Sequence, residues 1–176
     1  MKLYERTIDT ERIYEGKILN LRKDTVLLEN GSQATREVIE HNGAVCIVAV
    51  DKDDKIYFVK QFRHPFQRVM LEVPAGKIDK GESPIDAAHR ELEEEIGMKA
   101  TEIIPMGEFY PSVAYLTEVI YMYIAKGLIP SQQHLDDDEF LKIEKMTLGQ
   151  ACDLIYTNEI KDGKTIAAIL KASQLL

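Results

Sequence analysis

Between Gly76 and Met98 the chain reads GKIDKGESPIDAAHRELEEEIGM, and both the ends and the interior of this segment specify one amphipathic helix behind a glycine-containing loop. Ser83 is a natural N-cap, Pro84 suits the first helical position, and Asp86 sets negative charge against the positive end of the helix dipole. Gly97 stands where such a helix stops. The spacing predicts a helix from Pro84 to Ile96. Helical periodicity lines up Ile85, Ala88, Leu92 and Ile96 as an apolar stripe that should face a sheet. Glu91 and Glu95 then stack one turn apart on an adjacent face with Glu94 beside them, and the small Ala87 on that face leaves room for ions.

Crowding Glu91, Glu94 and Glu95, with Glu82 one loop upstream, is electrostatically costly unless something positive sits among them. Glutamates usually signal a solvated surface helix. Here only Arg90 and Lys99 are near enough in sequence to compensate Glu93, Glu94 and Glu95, so the acid is not paired off. The loop carrying Gly76 and Gly81 also returns Glu82 and backbone carbonyls to the same face. Carboxylates, a carbonyl and retained water are the donors magnesium prefers, with phosphate oxygens completing its shell. Arg90, four residues before Glu94, can orient or neutralise it.

The rest of the chain narrows the class. Its 176 residues suit one domain, or one with a small appendage, and are enough to bury a core. A net charge of -8 without a dense basic patch argues against nucleic acid as the main partner. No run approaches the roughly 18 apolar residues of a membrane span, and the N-terminus has no apolar signal region. Cys46 and Cys152, far apart and each in an apolar setting, read as buried reduced thiols, which suits a cytoplasmic protein.

Residues 1–42 read as a small N-terminal unit of short strands (17–21, 25–28 and 34–40) with Asn30-Gly31 as a hairpin signal. It is too small to stand alone and must pack on the remainder or on a second subunit. Residues 43–176 form the main domain. The apolar runs 44–50 and 56–62 flank the solvated turn Asp51-Lys52-Asp53-Asp54; further strands are expected at 70–73, 119–125 and 140–146. Thr147 and Gln150 form a capping box ahead of one helix, and 165–176 repeats the helical pattern. Strands interspersed with three helices predict an α/β fold, a mixed sheet sandwiched between helices.

The segment resembles the Nudix hydrolase box, Gly-x5-Glu-x7-Arg-Glu-U-x-Glu-Glu-x-Gly-U with U a bulky aliphatic residue. Gly76, Glu82, Arg90, Glu91, Leu92, Glu94, Glu95, Gly97 and Met98 fill every fixed position. Arg36 to His41, Val59 to Arg63, Leu71 to Gly76 and Asp138-Glu139-Phe140 resemble the ADP-ribose pyrophosphatase branch, so the likeness spans nearly the whole chain. The resemblance implies a Nudix-type α/β/α sandwich that hydrolyses a nucleoside diphosphate linked to another group. It implies magnesium, or manganese in its place, held by Glu91, Glu95 and the carbonyl of Ala75, with Glu94 assisting as ligand or base. Glu139 matches a general base on a mobile loop, although it also lies in an acidic run that any solvated loop could carry. Arg63 matches a phosphate-contacting arginine. Arg36, reaching across a homodimer, Glu82 and Ser112 complete the substrate side. His41 and His64 receive no role.

One departure bears on the substrate. Relatives selective for ADP-ribose carry Ser-Pro-Gly downstream of the box, whereas this chain has Ser112-Val113-Ala114, with Pro111 out of register. There is no tryptophan to stack on an adenine, so Tyr4, Tyr14 or another ring would have to serve. The expected reaction is ADP-ribose to AMP and ribose 5-phosphate. ADP-sugars, GDP-mannose or a dinucleotide are alternative substrates, and a catalytically silent ADP-ribose sensor is the reading from another class.

Overall fold

A computed structural model describes residues 3–176; the first two residues of the N-terminal unit lie outside the described residues. β1 (Arg6–Glu15), β2 (Asn20–Leu27) and β3 (Gln33–Glu40) form a three-stranded antiparallel sheet in the order β1-β2-β3. The sequence splits β2 into two short strands because Arg22, Lys23 and Asp24 interrupt its apolar character. It nonetheless runs unbroken, since Asp24 is buried against Arg22 and the Thr10 hydroxyl of β1. β1 escapes sequence reading altogether: all ten of its residues are exposed, so no apolar face marks it. The hairpin at Asn30-Gly31 is present, with Gly31 at φ 82°.

The main body holds β4 (Ala44–Ala49), β5 (Lys55–Arg63), β6 (Arg68–Glu72), β7 (Ala75–Lys77), α1 (Pro84–Ile96), β8 (Met98–Phe109), β9 (Ile120–Pro130), β10 (Leu141–Thr147), α2 (Leu148–Tyr156) and α3 (Gly163–Ala172). One sheet is β7-β4-β9-β8, with β4 and β9 parallel and the other pairings antiparallel; a second is β10-β5-β6. Strand β4 is buried on both faces, which explains its unbroken apolar sequence. Its alternate side chains divide the core: Cys46 and Val48 pack toward Ala168 and Ile169 of α3, while Val45 and Ile47 pack toward Ala88 and Leu92 of α1. The expected α/β/α sandwich is thus formed, with α1 on one face and α2 and α3 on the other.

Several expectations are corrected. Ile85 is 44% exposed, and Ala87 rather than Ile85 is buried with Ala88, Leu92 and Ile96. The helix therefore sits rotated toward the sheet, which draws Glu91 and Glu95 under cover as well. Strand β8 is unforeseen: Pro105 and Gly107 interrupt any strand pattern there, and both sit at a register shift, Gly107 taking φ 101°. Phe140 lies outside β10 and is exposed, and α3 begins at Gly163 and ends at Ala172. The capping box of Thr147 and Gln150 is present at α2. Both cysteines are free, Cys46 buried and Cys152 half-buried; burial pushes the Cys46 thiol up to about 12, leaving it inert.

Candidate active site

Helix α1 begins where its caps dictate. Ser83, in extended conformation, accepts a hydrogen bond from the Asp86 N–H, and Gly97 closes the helix in the left-handed region at φ 63°. Antiparallel to β4, the short β7 carries Ala75 and Gly76 past the buried side of this helix. The Ala75 N–H donates to Glu95 at 2.9 Å. A Cβ at Gly76 would lie 1.9 Å from the carboxylate carbon of Glu91, so only glycine lets that carboxylate rest against the strand.

Arg90 organises the acidic face. Its Nε and Nη2 grip both oxygens of Glu82 at 2.9 Å, its Nη1 reaches Glu91 at 2.7 Å and Glu94 at 2.8 Å, and Nη2 also donates to the Lys77 carbonyl at 2.9 Å. Glu82 accepts a further bond from the Asp79 N–H. The acid is thus more fully paired than the sequence suggests: Glu93, too, is tied to Lys99 and Ser131. Glu91 and Glu95 stay under-compensated. Burial pushes the Glu91 carboxyl up to about 7 in spite of Arg90, with Glu94 and Glu139 adding to the rise. Burial also raises Glu95 well above the carboxylate range, reinforced by the charges of Glu91 and Glu139 and opposed by the Ala75 N–H.

These residues fit a hard divalent cation. Among the described residues no three His, Cys, Asp or Glu side chains already stand in metal-holding geometry, because Arg90 draws Glu91 and Glu94 to itself. Yet two carboxylates are buried with too little positive charge, the donors are all oxygen, and Gly76 leaves the strand open beside one of them. Glu91, Glu95, Glu94 and the Ala75 carbonyl are the groups able to hold such an ion.

Beside this face opens a cleft of about 850 Å³, lined in part by Glu91, Glu94, Arg63, Glu139 and Lys164. Arg63, on β5, forms a fork with the buried Glu72 at 2.7 and 2.8 Å. Burial alone would push the Glu72 carboxyl up, but Arg63 and Lys164 outweigh it and hold the group at about 2. Glu139 accepts from Gln61 at 2.9 Å. Its loop is fastened to the end of α1: the Ser131 N–H donates to the Gly97 carbonyl at 2.7 Å, and the His134 N–H to the Glu94 carbonyl at 3.1 Å.

Other predicted positions lie elsewhere. Arg36 projects from β3 and pairs with Glu5, outside the cleft lining of this single chain. Glu82 holds Arg90 and is not among the lining residues. Ser112 is also absent from the lining, where Pro111 and Phe109 stand instead. Tyr4 and Tyr14 are exposed and not among the lining residues, whereas Ile18, Phe109 and Ile120 are among its apolar ones. Sequence reasoning assigned nothing to Gln61, Glu72, Asp162 or Lys164. Glu72 and Lys164 are 92 positions apart, and no local spacing links them.

Comparison with known proteins agrees with this geometry. Residues 40–169 match the NUDIX domain, and residues 5–39 match the nucleoside diphosphate sugar hydrolase N-terminal domain. An ADP-ribose pyrophosphatase of Bacillus subtilis (strain 168) is 41% identical over 169 residues, covering 95% of this chain and 91% of that protein. A methanol dehydrogenase activator of Bacillus methanolicus is 40% identical over 171 residues, covering 96% and 92%. The crystal structure of an ADP compounds hydrolase shares the fold, with a TM-score of 0.87 over 98% of this chain and 94% of that one at 22% identity. The domain match spans the very segments that bring Glu91 and Glu95 under Gly76 and Arg63 across the cleft, and the chain belongs to the Nudix hydrolase family.

Proposed function

We propose that this hydrolase cleaves the pyrophosphate of ADP-ribose, with magnesium, to AMP and ribose 5-phosphate. The carrying observation is what the cleft brings together: the under-compensated carboxylate of Glu91 and the guanidinium of Arg63, whose Nη1 stays free of its fork with Glu72, both line it. That arrangement suits a diphosphate lying between bound cations and a guanidinium. The kinship to an ADP-ribose pyrophosphatase across almost the full chain supports this substrate.

Magnesium, held by Glu91, Glu95, Glu94 and the Ala75 carbonyl, would neutralise the diphosphate and lower the pKa of water. Arg63 binds the phosphate oxygens through the guanidinium edge not occupied by Glu72. Glu139 takes a proton from the attacking water, Gln61 and the loop anchors on α1 fixing its carboxylate at the cleft. One phosphoanhydride P–O bond breaks, a new P–O bond forms to the water oxygen, and each product leaves with a phosphate monoester. Arg90 holds Glu91 and Glu94 in register, and Glu82 holds Arg90.

The N-terminal sheet supports a homodimer: β1 is exposed along its length, and Ile8, Ile13, Tyr14, Ile18 and Leu19 leave apolar surface on it and the following turn. In such a dimer Arg36 would serve the neighbouring cleft. Two free thiols suit a reducing cytoplasm. No helix among the described residues is long and apolar enough to cross a membrane.

The test is a panel of ADP-ribose, ADP-sugars, GDP-mannose and a dinucleotide, assayed with magnesium and product identification. ADP-ribose should have the highest kcat/KM. A preference for another member would reassign the substrate, and binding without turnover of any would favour the sensor.

A further inference from the structure

We propose that Lys164 is a positioning residue that acts through the buried carboxylate of Glu72 to fix the guanidinium of Arg63 for the substrate's phosphate. The proposal rests on the reading of Arg63 as the phosphate-binding arginine. It assigns a role to a half-buried cation to which the hydrolytic scheme above gives no step.

The geometry is a closed circuit between the end of β6 and the start of α3. Glu72, 2% exposed, receives Arg63 Nε on one oxygen at 2.7 Å and Arg63 Nη2 on the other at 2.8 Å. The second oxygen is shared with Lys164 Nζ. Lys164 is in turn held by Asp162 at 3.0 Å. Asp162 is the N-cap of α3 and accepts from the Thr165 N–H at 3.0 Å and from its hydroxyl at 2.6 Å. The same Thr165 oxygen accepts the Val73 N–H at 3.0 Å, next to the starting point.

Two consequences follow from elementary electrostatics. Arg63 and Lys164 balance Glu72 and Asp162, so the quartet is neutral and tolerates burial that a lone carboxylate would not. The fork on Glu72 uses Nε and Nη2, and among the described residues Nη1 makes no hydrogen bond; it is the edge left for a phosphate oxygen. A bidentate fork fixes the plane of the guanidinium only while the carboxylate itself cannot turn, and Lys164 is what stops Glu72 from turning. Lys164 already serves two carboxylates, which argues for an indirect role rather than a phosphate contact.

A double-mutant cycle between Lys164→Met and Arg63→Ala tests this on ADP-ribose. Alone, K164M should raise KM about tenfold with kcat within about twofold, the signature of lost uniform binding. In the R63A background it should change KM by less than about twofold, because its effect passes through Arg63. Lys164→Arg should restore most of the loss. Additive effects on KM would mean that Lys164 touches substrate itself, and a fall in kcat with KM unchanged would mean a role in chemistry; either overturns the proposal. If R63A leaves KM unchanged, the reading of Arg63 fails first and this proposal falls with it.

A readout independent of substrate is the Arg63 Nε–H resonance in 15N NMR, which should be protected in the parent protein and lose protection in K164M. Unchanged protection overturns the proposal whatever the substrate is. Should K164M not fold, Lys164→Gln, which keeps a polar side chain but removes the charge that pairs with Glu72, should show the same loss.

Discussion

Gly76 and Glu91 occupy space that cannot be shared with a methyl group: a Cβ on Gly76 would sit 1.9 Å from both the carboxylate carbon and one oxygen of Glu91. The strand and the helix are held at this separation independently, β7 by its pairing to β4 and α1 by the burial of Leu92 and Ile96. Gly76→Ala should therefore displace the carboxylate rather than the backbone. We expect kcat to fall at least about a hundredfold, the size of effect that a 1 Å misplacement produces. Steady-state kinetics with circular dichroism checks it, and near-normal turnover in a folded variant would contradict the assignment of Glu91.

Glu95→Gln separates the two demands on that residue. Burial disfavours its charge, so the amide should leave the metal-free protein as stable as the parent or more so. Turnover should drop by about a hundred- to a thousandfold, as expected when a charge-stabilising group is lost. Thermal melts with chelator and with millimolar magnesium check both points: magnesium should raise the Tm of the parent and have little effect on E95Q.

Acid stability should depend on Glu72. Its folded pKa of about 2 lies below the unfolded value of 4.5, so its contribution is fully present above pH 4.5. It is lost as pH falls from 4.5 toward 2. A shift of this size corresponds to roughly 3 kcal/mol. Urea unfolding of parent and Glu72→Gln should differ by that order at pH 6, and the difference should shrink steadily below pH 4.5. A gap that stays constant with pH would mean that the ion pairs are not its source.

Gly97 couples helix termination to the loop that carries Glu139. It adopts φ 63°, and a Cβ there would come within 3.2 Å of the Gln133 nitrogen and 3.3 Å of the Ser131 oxygen. Gly97→Ala should cost about 1–2 kcal/mol from the left-handed backbone alone. It should also lower kcat, since the crowded residues are those that fasten the loop to α1. Chemical denaturation and kinetics measured together check this, and a loss of stability without a loss of kcat would uncouple the loop from Glu139.

Much of this protein is written locally in its chain. The start of α1 follows from Ser83 and Pro84, its end from Gly97, and the start of α2 from the pairing of Thr147 with Gln150. Each is a contact within a few residues, so the residues themselves settle the matter. The stacking of Glu91 on Glu95 is of the same kind. It exposed the acidic site because one helical turn separates the two whatever surrounds them.

Other features were decided only when distant segments packed. The periodicity defines an apolar stripe but not its angle to the sheet, and packing chose Ala87 over Ile85 as the buried side chain. Strand β8 exists because β9 offers it a partner on one side, despite Pro105 and Gly107. Asp24 reads as a charge that should break β2, yet Arg22 and Thr10 make its burial tolerable. The circuit of Arg63, Glu72, Asp162 and Lys164 joins residues far apart in the chain, with no periodicity or cap to announce it. Helix ends and helical faces arise from hydrogen bonds and spacings a few residues long, which sequence carries. An ion pair across the core depends on where two separately formed elements come to rest, and that is set by the packing of the whole molecule.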